Sequence, residues 1–133
     1  MTGNEGDRMK WHVEKKIWRY ENAEKKFRVE VHTFKRYESE TICWNKYLFL
    51  YPGNPDFGRF RPTENSEYPD TPHEWNGGLT FYDERYDKNG KLIMQQFGDD
   101  YGHIWDDENP VDGEGTRVFF DAEKLIIMIE AVK

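Results

Sequence analysis

A chain of 133 residues suits one domain with a real core, and with 36% hydrophobic but 17% aromatic residues that core must rest on large rings rather than many aliphatics. The net charge of −7 is uneven: residues 1–36 hold ten Lys/Arg against six Asp/Glu, while seven acids and no Lys or Arg fall between Asp99 and Glu114, a face that excludes groove binding to nucleic acid. No run approaches the roughly 18 apolar residues of a membrane-spanning helix, and one cysteine, Cys43, makes no internal disulfide, so a cytoplasmic protein is expected with Cys43 a buried strand thiol.

Residues 1–9 read as a flexible tail without the apolar stretch of a signal peptide, and 10–133 as a single α+β domain: a mainly antiparallel sheet of about five strands with long loops and a C-terminal helix. Trp11, Val13 and Ile17 alternate with polar positions, and Phe27, Val29 and Val31 repeat the pattern, so Trp11–Tyr20 and Phe27–Arg36 form a hairpin around Glu21-Asn22-Ala23-Glu24. Ile42–Tyr51 is apolar and aromatic nearly throughout, as a central strand covered on both faces would be. It ends at Pro52-Gly53-Asn54-Pro55, and a long irregular connection with Pro62, Pro69 and Pro72 runs to Glu74. Leu79–Arg85 and Lys91–Phe97 flank an Asn89-Gly90 hairpin turn, and Gly98–Thr116 reads as acidic loop. Asp121 is the expected N-cap of a last helix, with Leu125, Met128, Ile129 and Val132 on one stripe; the competing reading of Ile126–Ile129 is a strand.

Two stretches carry the candidate chemistry, Trp75-Asn76-Gly77-Gly78-Leu79-Thr80-Phe81 and Phe97-Gly98-Asp99-Asp100-Tyr101-Gly102-His103-Ile104-Trp105-Asp106-Asp107. Each joins glycines, which permit tight turns or close approach to a ligand, to an indole and to polar side chains, and they are expected to face each other across one site. Trp75, Tyr101 and Trp105 are candidates for stacking on a planar ligand, while Trp11, Trp18 and Trp44 lie on strands and belong to the core. Gly77-Gly78 lacks the Lys and helix of a phosphate loop, so its backbone N–H groups are only a weak anion signal. Asp100, His103 and Asp106 could form a partial shell for a divalent metal if a turn gathers them; the simpler reading is a carboxylate that orients His103. His12, His32 and His73 show no partner spacing and read as surface or hairpin residues.

Asn54-Pro55-Asp56-Phe57-Gly58, Asn76-Gly77-Gly78-Leu79-Thr80-Phe81 and Gly98-Asp99-Asp100-Tyr101-Gly102-His103-Ile104-Trp105-Asp106 together resemble a group of small phage- and prophage-associated proteins. That group reads His-Pro-x-x-Gly, His-Gly-Gly-Leu-Thr and Gly-Phe-Asp-x-x-His-x-x-Asp, with a hairpin before and a helix after. The resemblance implies a viral or mobile-element origin and a site, but no reaction. Asn54 and Asn76 stand where the group has histidines, and an amide neither acts as a base near pH 7 nor ligates a transition metal well. Asparagine keeps its hydrogen-bonding capacity, so binding survives this change better than catalysis.

Three functions follow as expectations. The first is a phage-type accessory protein in the host cytoplasm that binds a small polar or nucleotide-like ligand through Asn54, Trp75, Asn76, Gly77, Gly78, Asp100, His103 and Trp105, with sequestration of a host-defence signal as its role. The second is a metal-dependent hydrolase using Asp100, His103 and Asp106. The third is an acidic inhibitor that engages a host protein through the Asp99–Glu114 surface. Aromatic content and open hairpin edges also leave room for a homodimer.

Overall fold

The computed structural model describes residues 10–14, 16–35, 42–102 and 110–133. The expected tail, 1–9, lies outside them, as do His103, Trp105 and Asp106. Among the described residues six strands, β1 (His12–Glu14), β2 (Ile17–Asn22), β3 (Phe27–Lys35), β4 (Ile42–Leu50), β5 (Phe81–Tyr86) and β6 (Leu92–Asp100), precede one helix, α1 (Thr116–Ala131). All pairings are antiparallel, in the order β1-β2-β3-β4-β6-β5, so the α+β expectation of a sheet followed by a C-terminal helix is met. Among the described residues no helix is long and apolar enough to cross a membrane.

Several boundaries differ from the sequence reading, each for a local reason. The single strand expected over Trp11–Tyr20 is two, because β1 folds back on β2 with Val13 opposite Trp18 and Glu14 opposite Ile17. No glycine or proline marks that reversal, so alternation runs through it unbroken. The next turn falls at Ala23–Lys26 rather than at 21–24, with Lys26 at φ 58 and the Asn22 carboxamide accepting from the Lys25 N–H. β6 runs on through Gly98 to Asp100, residues expected in the loop. The helix begins five residues before the expected cap: Asp112, not Asp121, binds its first turn, accepting from the Thr116 N–H (2.9 Å) and hydroxyl (2.7 Å), and Asp121 sits inside the helix.

One face of the sheet is covered throughout. Val118, Ala122, Leu125, Ile126 and Ile129 of α1 repeat with helical period and bury against β3 and β4, where Phe27, Val29, Val31, Leu48 and Leu50 are essentially inaccessible. Burying each such aliphatic is worth roughly 1.5–3 kcal/mol. Phe119 extends this layer by meeting Trp11 (5.3 Å) and Trp18 (5.4 Å) edge-on, and Trp18 stacks on Trp44 (5.8 Å, 19°), so all three tryptophans serve the core, Trp11 from just ahead of β1 rather than on a strand. Over β4, β6 and β5 the cover is the connection 51–80, which carries no helix and only one isolated bridge, Thr63 to Ser66. The opposite sheet face carries Arg28, Glu30, His32, Cys43, Tyr47 and Phe49 and is largely half-buried, so β4 is central but not equally covered on both sides. Cys43 is a strand thiol, half-buried rather than buried.

Candidate functional site

A lysine in the middle of a largely apolar strand organises the site. Lys46 and Asp99 stand directly opposite each other in the β4–β6 register, on the covered face, with Nζ 3.3 Å from Oδ2 and side chains 2% and 0% exposed. Two charges taken this far from water must be matched and hydrogen-bonded. Asp99 Oδ2 also accepts from the Asn76 backbone N–H at 2.6 Å, while its Oδ1 has no partner. The Lys46 ammonium faces the Trp75 and Tyr101 rings at 5.6 and 5.9 Å from their centroids. Burial pushes Asp99 up to about 6, against the opposing pull of Lys46 and the Asn76 N–H.

The turn containing Trp75 and Asn76 is pinned onto this pair from both sides. Trp75 Nε1 donates to Thr71 Oγ1 (2.9 Å), and its ring stacks over Phe97 (6.4 Å, 21°). Asn76 Nδ2 donates to the Asp100 carbonyl (2.8 Å), and Thr80 N donates to the Gly98 carbonyl (3.0 Å). Gly77 and Gly78 have φ of 76 and 98, so their role here is to let the chain reverse in a conformation that side chains rarely adopt. The two stretches therefore touch at Asn76 and the Asp99–Asp100 end of β6, while the second stretch from 103 on lies outside the described residues.

Between this turn and α1 lies a cavity of about 240 Å³ with Lys46 among its lining residues, Trp75 and Asn76 on one side, and Asp121, Leu125 and Met128 on the helix side. Lys124 and Glu74, 3.5 Å apart and both exposed, also line it. Asp121 Oδ2 accepts from the Tyr101 hydroxyl (2.7 Å); burial first, then Asp99 and Asp121, push the Tyr101 phenol up, so it stays a neutral donor. The Arg117 guanidinium lies 5.2 Å from the Tyr101 ring and reaches Asn76 Oδ1 at 3.5 Å.

Of the residues expected to bind, Trp75 and Asn76 line this cavity and Asp100 contributes its backbone carbonyl. The Asp100 side chain lies on the other sheet face, opposite Asn45, and accepts from the Gly102 N–H (3.1 Å). Asn54 is elsewhere, with its amide spent tying its loop to the β2–β3 turn: Nδ2 donates to the Lys25 carbonyl (2.8 Å) and Oδ1 accepts from the Asp56 N–H within the loop (2.9 Å). His103 and Trp105, and with them the Asp100–His103–Asp106 metal constellation, lie outside the described residues; among those described, no three His, Cys, Asp or Glu side chains are grouped to hold a metal. The acidic surface expected over Asp99–Glu114 loses its first member, since Asp99 is buried and paired.

Two histidines read as surface or hairpin residues without partners have partners, His32 on the hairpin as expected and His73 buried rather than at the surface. His73 is 6% exposed, packed edge-on against Phe60 and Trp75, and burial lowers its pKa despite Asp56 at 3.9 Å. His32 meets Glu30 at 2.7 Å. Lys46, Asp99, Asp121, Leu125 and Met128 were not foreseen as site residues, and the one signal for them was a lysine set within a largely apolar strand. Comparison with family models, curated proteins and solved structures found no match to this chain.

Proposed function

We propose that the chain is a binding protein for a small polar, ring-bearing ligand of the nucleotide-like class, held between the Trp75–Asn76 turn and α1. The observation that carries this reading is the floor of the cavity: an almost fully buried lysine that nevertheless lines it, paired to a carboxylate whose second oxygen is unpartnered, beneath an indole wall. Concave sites that bind small molecules combine apolar walls with a few fixed polar groups in this way. Asn76, one of the two positions where the resembling phage proteins carry histidine, supplies amide hydrogen bonds rather than a proton-transfer group, which favours holding a ligand over converting it. With the phage-like origin that the resemblance implies, the biological setting is sequestration of a nucleotide signal in the cytoplasm of an infected host.

Thermal unfolding in the presence of millimolar linear and cyclic nucleotides, nucleosides and free bases tests the reading. Ligand at 100-fold its Kd stabilises by about 2.7 kcal/mol, which for a domain of this size raises Tm by several degrees. A panel in which no compound shifts Tm, and in which none quenches tryptophan emission, refutes it.

A further inference from the structure

The pocket's charge and size narrow the ligand. Its lining carries two cations, Lys46 and Lys124, and two carboxylates, Glu74 and Asp121, so the lining charges balance. Lys46 is matched by Asp99 at 3.3 Å and Lys124 by Glu74 at 3.5 Å, which leaves no surplus of cation for a phosphate. The other common anion site, a helix N-terminus, is occupied here, because Asp112 accepts from the first turn of α1. At about 240 Å³ the cavity is smaller than the roughly 300–1,000 Å³ of pockets for drug-sized ligands, so it suits one ring system better than a dinucleotide.

Within that volume the polar groups have a fixed sense. Lys46 can only donate. Asp121 can only accept when ionised, and with Oδ2 engaged by Tyr101 it has Oδ1 to offer. A ring that satisfies both presents a carbonyl beside an N–H. Trp75 supplies an aromatic wall, and Leu125 and Met128 an apolar one.

We propose that the pocket takes an uncharged 6-oxopurine-type base or nucleoside, its carbonyl toward Lys46 and its ring N–H toward Asp121, with phosphates playing no part in affinity. This rests on the cavity being the binding site proposed above. Adenine carries the opposite edge, an amino donor where Lys46 also donates, and one mismatched edge is expected to cost at least about tenfold in affinity, or about 1.4 kcal/mol.

Titration of tryptophan emission in the intact protein with guanosine, inosine, adenosine, guanosine 5′-monophosphate and cyclic diguanylate tests it. Guanosine and inosine are expected to bind at least about tenfold more tightly than adenosine, with the 5′-phosphate adding nothing. Asp121→Asn, whose amide oxygen still accepts from Tyr101, should collapse the preference to near unity. Adenosine binding as tightly as guanosine, or the monophosphate or cyclic dinucleotide binding tenfold more tightly than the nucleoside, overturns the oxopurine assignment and leaves the pocket reading standing. Silence from the whole set, in emission and in Tm alike, overturns both.

Discussion

Replacing Lys46 by methionine leaves Asp99 as a buried carboxylate with only the Asn76 N–H for company, and the consequence depends on pH in a defined way. In the native protein Asp99 is raised from 3.8 to about 6, a difference of about 2 units or roughly 3 kcal/mol between its two protonation states. A raised carboxyl favours folding below its unfolded pKa, and that contribution is lost as pH climbs through the folded value. For the native pair the loss is complete a little above pH 6. Removing Lys46 takes away both its charge and its hydrogen bond, the influences that oppose burial, so the folded value moves above 6 and the loss continues to higher pH. Urea unfolding of Lys46→Met should therefore show stability falling by up to about 1.4 kcal/mol per pH unit between about pH 7 and 8, where Asp99 gives the native protein little slope. At pH 7.5 the deficit should reach roughly 3–5 kcal/mol, as expected for an orphaned buried charge. The double change Lys46→Met/Asp99→Leu should recover most of it, short only of the acceptor lost to Asn76 N, about 1–3 kcal/mol. Parallel pH curves for native and Lys46→Met protein over about pH 7–8, or additive losses in the double variant, would refute the buried-pair account.

Ile126→Ala should cost roughly 2–5 kcal/mol in chemical denaturation, since Ile126 is fully buried on the sheet side of α1, while Ile127→Ala, 59% exposed, stays within about 0.5 kcal/mol. Gly115→Ala should lower stability by roughly 2–4 kcal/mol, because a Cβ there sits 2.5 Å from the Trp44 ring at φ +69. Gly113→Ala, which meets nothing, is the control, and equal Tm values for the two would contradict the packing. Glu84, held down to about 2 first by Arg61 and then by the Tyr82 and Tyr86 hydroxyls, adds stability above the ordinary glutamate range that is lost as pH falls from about 4.5 toward 2. Glu84→Gln should flatten that part of the acid unfolding curve, and an unchanged acid limb would rule the contribution out.

What could be read from residue order was what neighbours decide. The Asn89-Gly90 turn forms with Gly90 at φ 82, and its Asp87 carboxylate binds the Asn89 and Lys91 N–H groups. The helix over Leu125 and Ile129 and the central apolar strand follow from periodicity within one segment. The helix start was misplaced because Asp112 binds it across an Asp-Gly-Glu-Gly turn that carries no hydrophobic period. Gly98 was misread for a different reason. A Cβ there would meet the Tyr47 ring at 2.5 Å, so the glycine serves cross-strand packing on the open face rather than a loop or a ligand.

The site itself turned on one residue of parity. In a strand, adjacent side chains point to opposite faces, so of the consecutive acids Asp99 and Asp100 only one can meet Lys46 beneath Trp75. Placing both in a loop gave no reason to choose between them, and the side chain singled out for chemistry, Asp100, is the one on the far face. The choice is made by the pairing of Lys46 with Asp99, fifty-three positions apart, which depends on where β4 and β6 fall into register. Flanking pairs hold that register: Leu48 against Phe97 fills the core, and Tyr47 covers Gly98. The buried charges are thus brought together by the hydrophobic and aromatic pairs beside them. It follows that Gly98→Val, which leaves every site side chain in place by sequence, should still disturb the pocket, because displacing Tyr47 strains the register that sets Lys46 opposite Asp99. Guanosine titration of that variant should show weakened binding, and unchanged affinity in a folded Gly98→Val protein would show that the pair does not depend on its neighbours.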